Sequence, residues 1–235
     1  SFINGKPFYL TNTINNDNII SVNRMILELK CMLALSSDNK KIGYVLKKER
    51  LSTVAQSLLS LRLKVKKLPN NTTRRMLSSW ISDAHHNYRS CAKYLKKQVI
   101  HANISPSNIL LTNKQAYCLD LGHVKNDFEL NDLANFVVSC MLLKMKPPII
   151  QKFVSLHFSS NDIPLYKSGV LNLFIKLHLI KEYIKTLEQE HKWSGYHHRN
   201  LFLSHYRSEI INYKNLIKKS LLAIAVKPEE IFSYV

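Results

Sequence analysis

The residues best suited to chemistry lie in one stretch, His101 to Gly122, which reads HANISPSNILLTNKQAYCLDLG. A polar loop leads into a first apolar run, a short turn follows, and a second apolar run ends at Asp120. Two short apolar segments joined by a turn are typical of a β-hairpin. We therefore expect Asn108, which precedes the first strand, and Asp120, which follows the second, to approach each other at one end of the hairpin.

An amide oxygen and a carboxylate at one place predict a site for a hard cation. Mg²⁺ takes oxygen ligands and keeps water or phosphate oxygens in its remaining positions. The sequence therefore predicts that Asn108 and Asp120 bind Mg²⁺.

At these residues the stretch resembles the catalytic core of the protein-kinase-like superfamily. It is most similar to the aminoglycoside and choline phosphotransferases, the lipopolysaccharide-core sugar kinases and the RIO kinases. In their pattern, His101 matches the His of His-x-Asp, Asn108 matches the metal-binding Asn, and Asp120 with Leu121-Gly122 matches Asp-Phe-Gly. The resemblance implies ATP and Mg²⁺ as cofactors, with His101 as a structural brace of the catalytic loop.

Asn103 stands where this superfamily has its catalytic Asp, which accepts the proton of the substrate hydroxyl. An amide is nearly isosteric with a carboxylate and still hydrogen-bonds a hydroxyl, but it is not a base. General acid–base assistance is typically worth ~100- to 10,000-fold in rate. Three interpretations remain open at this point: a natural pseudokinase, an enzyme with altered chemistry, or an engineered Asp→Asn change.

The composition is that of a globular protein with one domain or two lobes. The chain has 235 residues, 46% of them hydrophobic, and only five glycines, which argues against an all-β architecture. We expect no transmembrane helix, because no apolar run reaches 18 residues. Four widely spaced cysteines without a CxxC motif predict reduced thiols, and hence a cytoplasmic protein. A peripheral position at a membrane is compatible with this expectation.

The net charge of +18 is concentrated in one part of the chain. Residues 40–97 contain 15 Lys and Arg against two acidic residues, whereas 1–39 and 98–163 are balanced. This asymmetry predicts a polyanionic partner: nucleic acid, an anionic membrane surface or a phosphorylated glycolipid. A solvated basic face is the alternative, and a protein partner is also compatible with the pattern.

Apolar periodicity predicts a mainly helical chain around the hairpin. The expected helices span 19–35, 51–61, 73–95, 131–143, 149–158 and 203–225, with further helix from 164. The basic sequence RLKVKK, residues 62–67, either extends the second helix or forms a loop. Leu173, Leu177, Ile180, Ile184 and Leu187 recur at helical spacing and are expected to face the core.

Residues 1–48 are expected to form a reduced small lobe, with a hairpin around Asn4-Gly5. No glycine-rich phosphate loop is readable there. Glu28 is the candidate for the acidic residue that fixes the phosphate-binding lysine in kinases, although an ordinary exposed glutamate is equally compatible. Lys47 is the candidate for that lysine, but we favour the alternative in which 42–46 is the strand that enters the hinge.

The segment after Gly122 is too short for the activation segment of a regulated protein kinase. It leads directly to Asn131-Asp132-Leu133-Ala134, which resembles a helix of small-molecule kinases whose Asp braces the catalytic loop. The alternative for Asp132 is a plain helix N-terminal acid that interacts favourably with the helix dipole.

These observations together predict an α+β, two-lobed, protein-kinase-like fold. Residues 1–48 would form a reduced small β lobe, and 49–235 a mainly helical large lobe with the catalytic-loop hairpin at 101–122. The expected function is ATP- and Mg²⁺-dependent phosphotransfer to a non-protein hydroxyl acceptor, such as a phosphorylated glycolipid sugar or another small molecule, impaired by Asn103. The alternative is a pseudokinase scaffold that binds a polyanionic or protein partner through its basic face.

Overall fold

The computed structural model describes residues 5–8, 14–37, 54–113, 115–143, 145–159 and 167–194, and the single position 215. Lys47, most of the predicted amino-terminal hairpin and nearly all of the predicted helix 203–225 lie outside these residues. The described strands are β1 (Lys6–Pro7), β2 (Lys97–Ile100), β3 (Ile109–Leu111), β4 (Ala116–Cys118) and β5 (Lys125–Phe128). The described helices are α1 (Asn16–Ser37), α2 (Val54–Lys66), α3 (Asn71–Cys91), α4 (Asn131–Leu142), α5 (Pro147–Ser159) and α6 (Lys167–Ser194).

Two helices begin at asparagine residues whose side chains accept backbone hydrogen bonds. The side chains of Asn15 and Asn18 each accept a hydrogen bond from the other's backbone N–H, at 2.9 and 3.1 Å, at the start of α1. Asn70 Oδ1 accepts from the backbone N–H of Thr73 at 3.0 Å at the start of α3. These contacts satisfy N–H groups that have no partner within the first turn of a helix.

Helix α2 continues through most of the RLKVKK sequence, which decides between the two predicted alternatives for this segment. Its side chains at Val54, Leu58, Leu61 and Val65 form one buried face. Val65 belongs to this face, and its burial extends the helix to Lys66. The basic residues Arg62, Lys64 and Lys66 then lie on the solvent side of the helix.

Helix α6 is the centre of the helical part and packs on α3 and α4. The predicted stripe is confirmed, since Leu173, Leu177, Ile180 and Ile184 are buried. Trp80 of α3 meets a ring of α6, Tyr183, edge to face with centroids 5.7 Å apart. Phe174 of α6 also packs against Phe128 of β5, with ring centroids 5.4 Å apart.

The predicted hairpin is confirmed as β3 and β4, which pair antiparallel from Ile109 opposite Cys118 to Leu111 opposite Ala116. Strand β1 pairs antiparallel with the other edge of β3. The second sheet pairs β2 with β5, which the sequence analysis did not predict. Strand β5, Lys-Asn-Asp-Phe, has a single apolar residue, so its conformation depends on the partner strand rather than on its own pattern.

The described part of residues 1–48 packs directly on the hairpin region. Gly5 lies so close to β3 that an added Cβ would be 2.7 Å from the Leu111 carbonyl oxygen. Helix α1 packs on β2, β4 and α5. Lys30 of α1 forms an ion pair with Glu129 at 2.6 Å. The division of the chain into two lobes at residue 48 stays a prediction.

The described residues are mostly helical and form two small antiparallel sheets, which confirms the predicted α+β class. Among the described helices, none is both long and apolar enough to span a bilayer.

We predict that Leu77→Ala in α3 lowers the free energy of unfolding by about 2–5 kcal/mol, because Leu77 is fully buried and its truncation leaves a cavity. The matched change Leu63→Ala in α2 should cost less than about 0.5 kcal/mol, because Leu63 is 52% exposed. Urea unfolding of both variants measures the difference. Equal losses would contradict the placement of these two leucines.

Candidate active site

His101 joins the loop of residues 101–108 to the end of the hairpin. Its fully buried ring donates from Nε2 to the backbone oxygen of Leu119 at 3.1 Å. Its Nδ1 accepts a hydrogen bond from the backbone N–H of Asn103 at 3.2 Å. Burial lowers the pKa of His101, so the ring is neutral, with its proton on Nε2. This geometry is the one expected of a structural brace.

Helix α4 fixes the loop from the other side through two residues of its first two turns. Asp132 Oδ2 accepts from the backbone N–H of His101 at 2.8 Å, and Oδ1 accepts from that of Ala102 at 2.7 Å. Asn135 Nδ2 donates to the backbone oxygen of Ile104 at 2.9 Å. The brace interpretation of Asp132 is therefore confirmed. The sequence analysis missed Asn135, although its spacing of three residues from Asp132 places both on one helix face.

Ala102 has a positive φ of 64°. The left-handed conformation costs a non-glycine residue about 1–2 kcal/mol. The carboxylate of Asp132 offsets this cost by accepting hydrogen bonds from the backbone N–H groups of His101 and of Ala102 itself. The loop is consequently held in a shape that its own backbone preferences do not favour.

Asn103 contacts both residues predicted to bind metal. Its side-chain Nδ2 donates to Asp120 Oδ2 at 3.3 Å. Its backbone oxygen accepts from Asn108 Nδ2 at 3.0 Å. Because the amide nitrogen of Asn108 is used in this way, Oδ1 is the atom of that side chain able to ligate a cation. The structure therefore brings together three of the predicted site residues.

Asp120 follows β4 in a left-handed conformation, with φ 59° and ψ 66°. The preceding residue, Leu119, donates its N–H to the backbone oxygen of Asn108 at 2.8 Å, which ties the two ends of the hairpin together. The Asp120 side chain is 49% exposed, and His123 Nε2 lies 3.5 Å from Oδ2. The carboxylate is thus accessible to a ligand from solvent.

The donor set fits Mg²⁺ better than a soft metal. Within the described ranges, no group of three or more His, Cys, Asp or Glu side chains is arranged to hold a metal. Asn108 and Asp120 provide an amide oxygen and a carboxylate, and Mg²⁺ is typically bound by one or two such protein groups together with water and phosphate oxygens.

The two predicted nucleotide-binding residues are not brought to this loop by the described structure. Glu28 is exposed on α1, and no described lysine or arginine forms an ion pair with it. The ion pair of this helix is made by Lys30 instead. Lys47 lies outside the described residues. The roles of Glu28 and Lys47 stay predictions.

We predict that Asp132→Asn changes how stability depends on pH. Burial raises the pKa of Asp132 to about 6, above the ~3.9 of an unfolded aspartate. Because the folded state holds this proton more tightly, the contribution to stability is full below the unfolded pKa and is lost as pH rises through the folded pKa. Relative to the variant, the wild type should lose about 2 kcal/mol of unfolding free energy between about pH 4.5 and about pH 7.5.

Urea unfolding at both pH values measures this difference. Asn135→Ala is the control, because it removes the other contact of α4 with the loop but no titratable group, so its difference in unfolding free energy from the wild type should be the same at both pH values. If the wild type and Asp132→Asn differ in unfolding free energy by the same amount at both pH values, the pKa of Asp132 is not raised.

Several solved structures are similar to the chain, whereas no protein-family model and no curated protein matches it. Choline kinase LicA from Streptococcus pneumoniae aligns with TM-score 0.56 and 11% identity over 88% of this chain and 65% of its own; its complex with AMP aligns with TM-score 0.51 and 12% identity over 87% and 64%. Choline kinase from Cryptosporidium parvum gives 0.51 and 11% over 98% and 73%. Plasmodium vivax ethanolamine kinase gives 0.57 and 14% over 94% and 64%.

The chain spans about two thirds of the length of these kinases. Along this chain the elements of the site follow in the order β2, the loop of residues 101–108, the β3–β4 hairpin, β5 and α4, whose Asp132 binds back to the loop. The chain has the protein-kinase-like fold of the choline and ethanolamine kinases.

Proposed function

We propose that this chain transfers a phosphoryl group from ATP to the hydroxyl of a non-protein acceptor, with reduced efficiency because Asn103 replaces the catalytic base. The observation that carries the proposal is the placement of Asn103, whose side chain reaches Asp120 and whose backbone receives Asn108. One residue therefore borders both predicted metal ligands, and the proposal places the acceptor hydroxyl at its side-chain amide.

The similar structures support the class of substrate. They are choline and ethanolamine kinases by name, and one of them is a complex with AMP. Both acceptors are small alcohols. By this likeness we infer a nucleotide donor and a small hydroxyl acceptor. A phosphorylated glycolipid sugar is included among the candidate acceptors, because the chain's net charge of +18 would attract its phosphates.

The loop residues would act mainly by positioning. The amide oxygen of Asn103 would accept a hydrogen bond from the acceptor hydroxyl and orient its oxygen for in-line attack on the γ-phosphorus. The new P–O bond forms as the bond to ADP breaks, and ADP leaves with the electron pair. Since Asn103 is not a base, the hydroxyl proton passes to solvent. Phosphoryl transfer depends largely on such positioning and on charge stabilisation.

Asn108 and Asp120 would hold Mg²⁺, which would supply positive charge against the phosphate oxygens. Their own contribution is geometric. The hydrogen bond from Asn108 Nδ2 to the Asn103 backbone keeps the amide oxygen turned away from that contact. The tie between Leu119 and the Asn108 backbone keeps Asp120 at the same hairpin end.

A pseudokinase scaffold is the second candidate, and one observation favours it. The amide of Asn103 donates to Asp120 in a contact that a carboxylate would not make without a proton or a cation. The Asp120 carboxylate thus has a hydrogen-bond partner within the protein that does not require a metal. In this function the chain would bind a nucleotide and a partner but would not catalyse phosphoryl transfer.

We predict that nucleotide binding depends on Mg²⁺ through the hairpin. Asp120→Ala should weaken Mg²⁺–ATP binding by at least about tenfold, since it removes the charged ligand. Titration calorimetry with and without Mg²⁺ measures the effect. Asp83→Ala is the matched control, because Asp83 is exposed on α3 and outside the loop. Equal ATP affinity with and without Mg²⁺, or no binding, would overturn the metal assignment.

We also predict that Asn103→Asp raises ATP turnover with an accepted alcohol by ~100-fold or more, because it restores a general base. Turnover should also become more dependent on Mg²⁺, since the new carboxylate lies beside Asp120 and the two repel each other without a cation. Steady-state assays over a panel containing choline, ethanolamine and sugar acceptors test this.

Asn113→Asp, in the exposed hairpin turn, adds the same charge outside the loop and should leave turnover unchanged. If Asn103→Asp gives no gain with an acceptor that binds, the phosphotransfer proposal fails and the scaffold function is supported.

A further inference from the structure

Helix α2 has two chemically distinct sides. One side, formed by Val54, Leu58, Leu61 and Val65, is buried in the core. The other carries Leu59 and Leu63, which are 58% and 52% exposed. These two leucines are four residues apart and therefore lie one turn apart on the same face. Among the described residues, no other helix face carries two leucines as exposed as these.

Exposed basic residues flank the leucine pair. Arg62 and Lys66 lie on one side of it along α2, and Lys67 follows at the end of the helix. Lys64 lies on the other side and pairs with Glu188 of α6 at 3.3 Å, in an exposed contact. Residues 54–97 contain ten Lys and Arg and a single acidic residue, Asp83. Helix α2 itself carries three basic residues and no acidic one, so the charges that it places beside the leucines are positive.

We propose that this face of α2, comprising Leu59, Arg62, Leu63 and Lys66, docks on an anionic phospholipid membrane. The leucines enter the boundary between headgroups and acyl chains, and the two cations contact lipid phosphates. A helix with an apolar strip between basic residues binds membranes through the sum of these two terms. The proposal is independent of whether Asn103 permits catalysis.

A lipid surface explains both parts of the face, whereas the alternatives explain only one. Nucleic acid would use the cations, but proteins that bind single strands stack bases on aromatic rings. The exposed large hydrophobics of the described residues are leucine, isoleucine and methionine, with no aromatic side chain among them. A second copy of the chain would present the same basic face and carry the same +18 charge, which opposes self-association.

The expected contributions to membrane affinity follow from the chemistry. Each Lys or Arg near an anionic membrane contributes about fivefold to the partition coefficient. Burial of the apolar area of two leucines contributes about tenfold or more. Binding should therefore fall steeply with salt, through the cations, yet also depend on two side chains that carry no charge.

The test is flotation of the 235-residue chain with vesicles of phosphatidylcholine alone, or of phosphatidylcholine with about one third phosphatidylserine. The wild type should bind the phosphatidylserine vesicles and not the neutral ones. Leu59→Ser with Leu63→Ser should lower the partition coefficient by about tenfold. Arg62→Gln with Lys66→Gln should lower it by about tenfold or more. Thermal unfolding checks that both double variants keep the wild-type fold.

Leu143→Ser is the matched control, because Leu143 follows α4 and is 48% exposed. It should bind vesicles like the wild type. Wild-type affinity in the double leucine variant would overturn the proposal, as would equal binding to neutral vesicles. Binding to an RNA oligonucleotide without vesicle binding would overturn it in favour of nucleic acid. Failure to bind either vesicles or RNA would also overturn the proposal and would indicate that the basic face is only solvated.

Discussion

The carboxylate of Asp132 is the point on which the geometry of the site depends. It accepts from two successive backbone N–H groups, those of His101 and Ala102, and so holds a turn in which Ala102 has a positive φ. The next residue is Asn103, whose position between the two hairpin ends follows from that turn. Because α4 also packs on α6, the stability of the helical part is transmitted to a loop that has little intrinsic preference for its shape.

Burial has two opposite consequences for the groups around this loop. It lowers the pKa of His101, which stays neutral and can bridge the loop to the hairpin with one donor and one acceptor nitrogen. It raises the pKa of Asp132 to about 6, although the two N–H donors act in the other direction. A charge buried for the sake of geometry therefore weakens global stability at neutral pH, a cost that proteins commonly carry at functional sites.

The sequence predicted those features that rest on local chemistry. The apolar stripe of α6 and the β3–β4 hairpin each need only neighbours along the chain. The end of α2 was left open, because it depends on whether Val65 finds a core to enter. Strand β5 and the contact of Asn135 with Ile104 were missed, since both depend on partners about thirty residues away. The contact of Asp132 with the loop was predicted from resemblance to small-molecule kinases rather than from apolar periodicity.

Under the proposed function, the residue at position 103 determines proton transfer without determining how the loop is positioned. The loop, the hairpin and α4 hold its backbone through contacts that do not involve its side-chain chemistry. Its amide then donates to Asp120, so that the pair carries one negative charge where two carboxylates would carry two. One charge is stable without a cation, whereas two require a proton or a metal. The fold would thus keep an ordered binding site in either case, while the exchange of one amide for one carboxylate would determine whether that site accepts a proton.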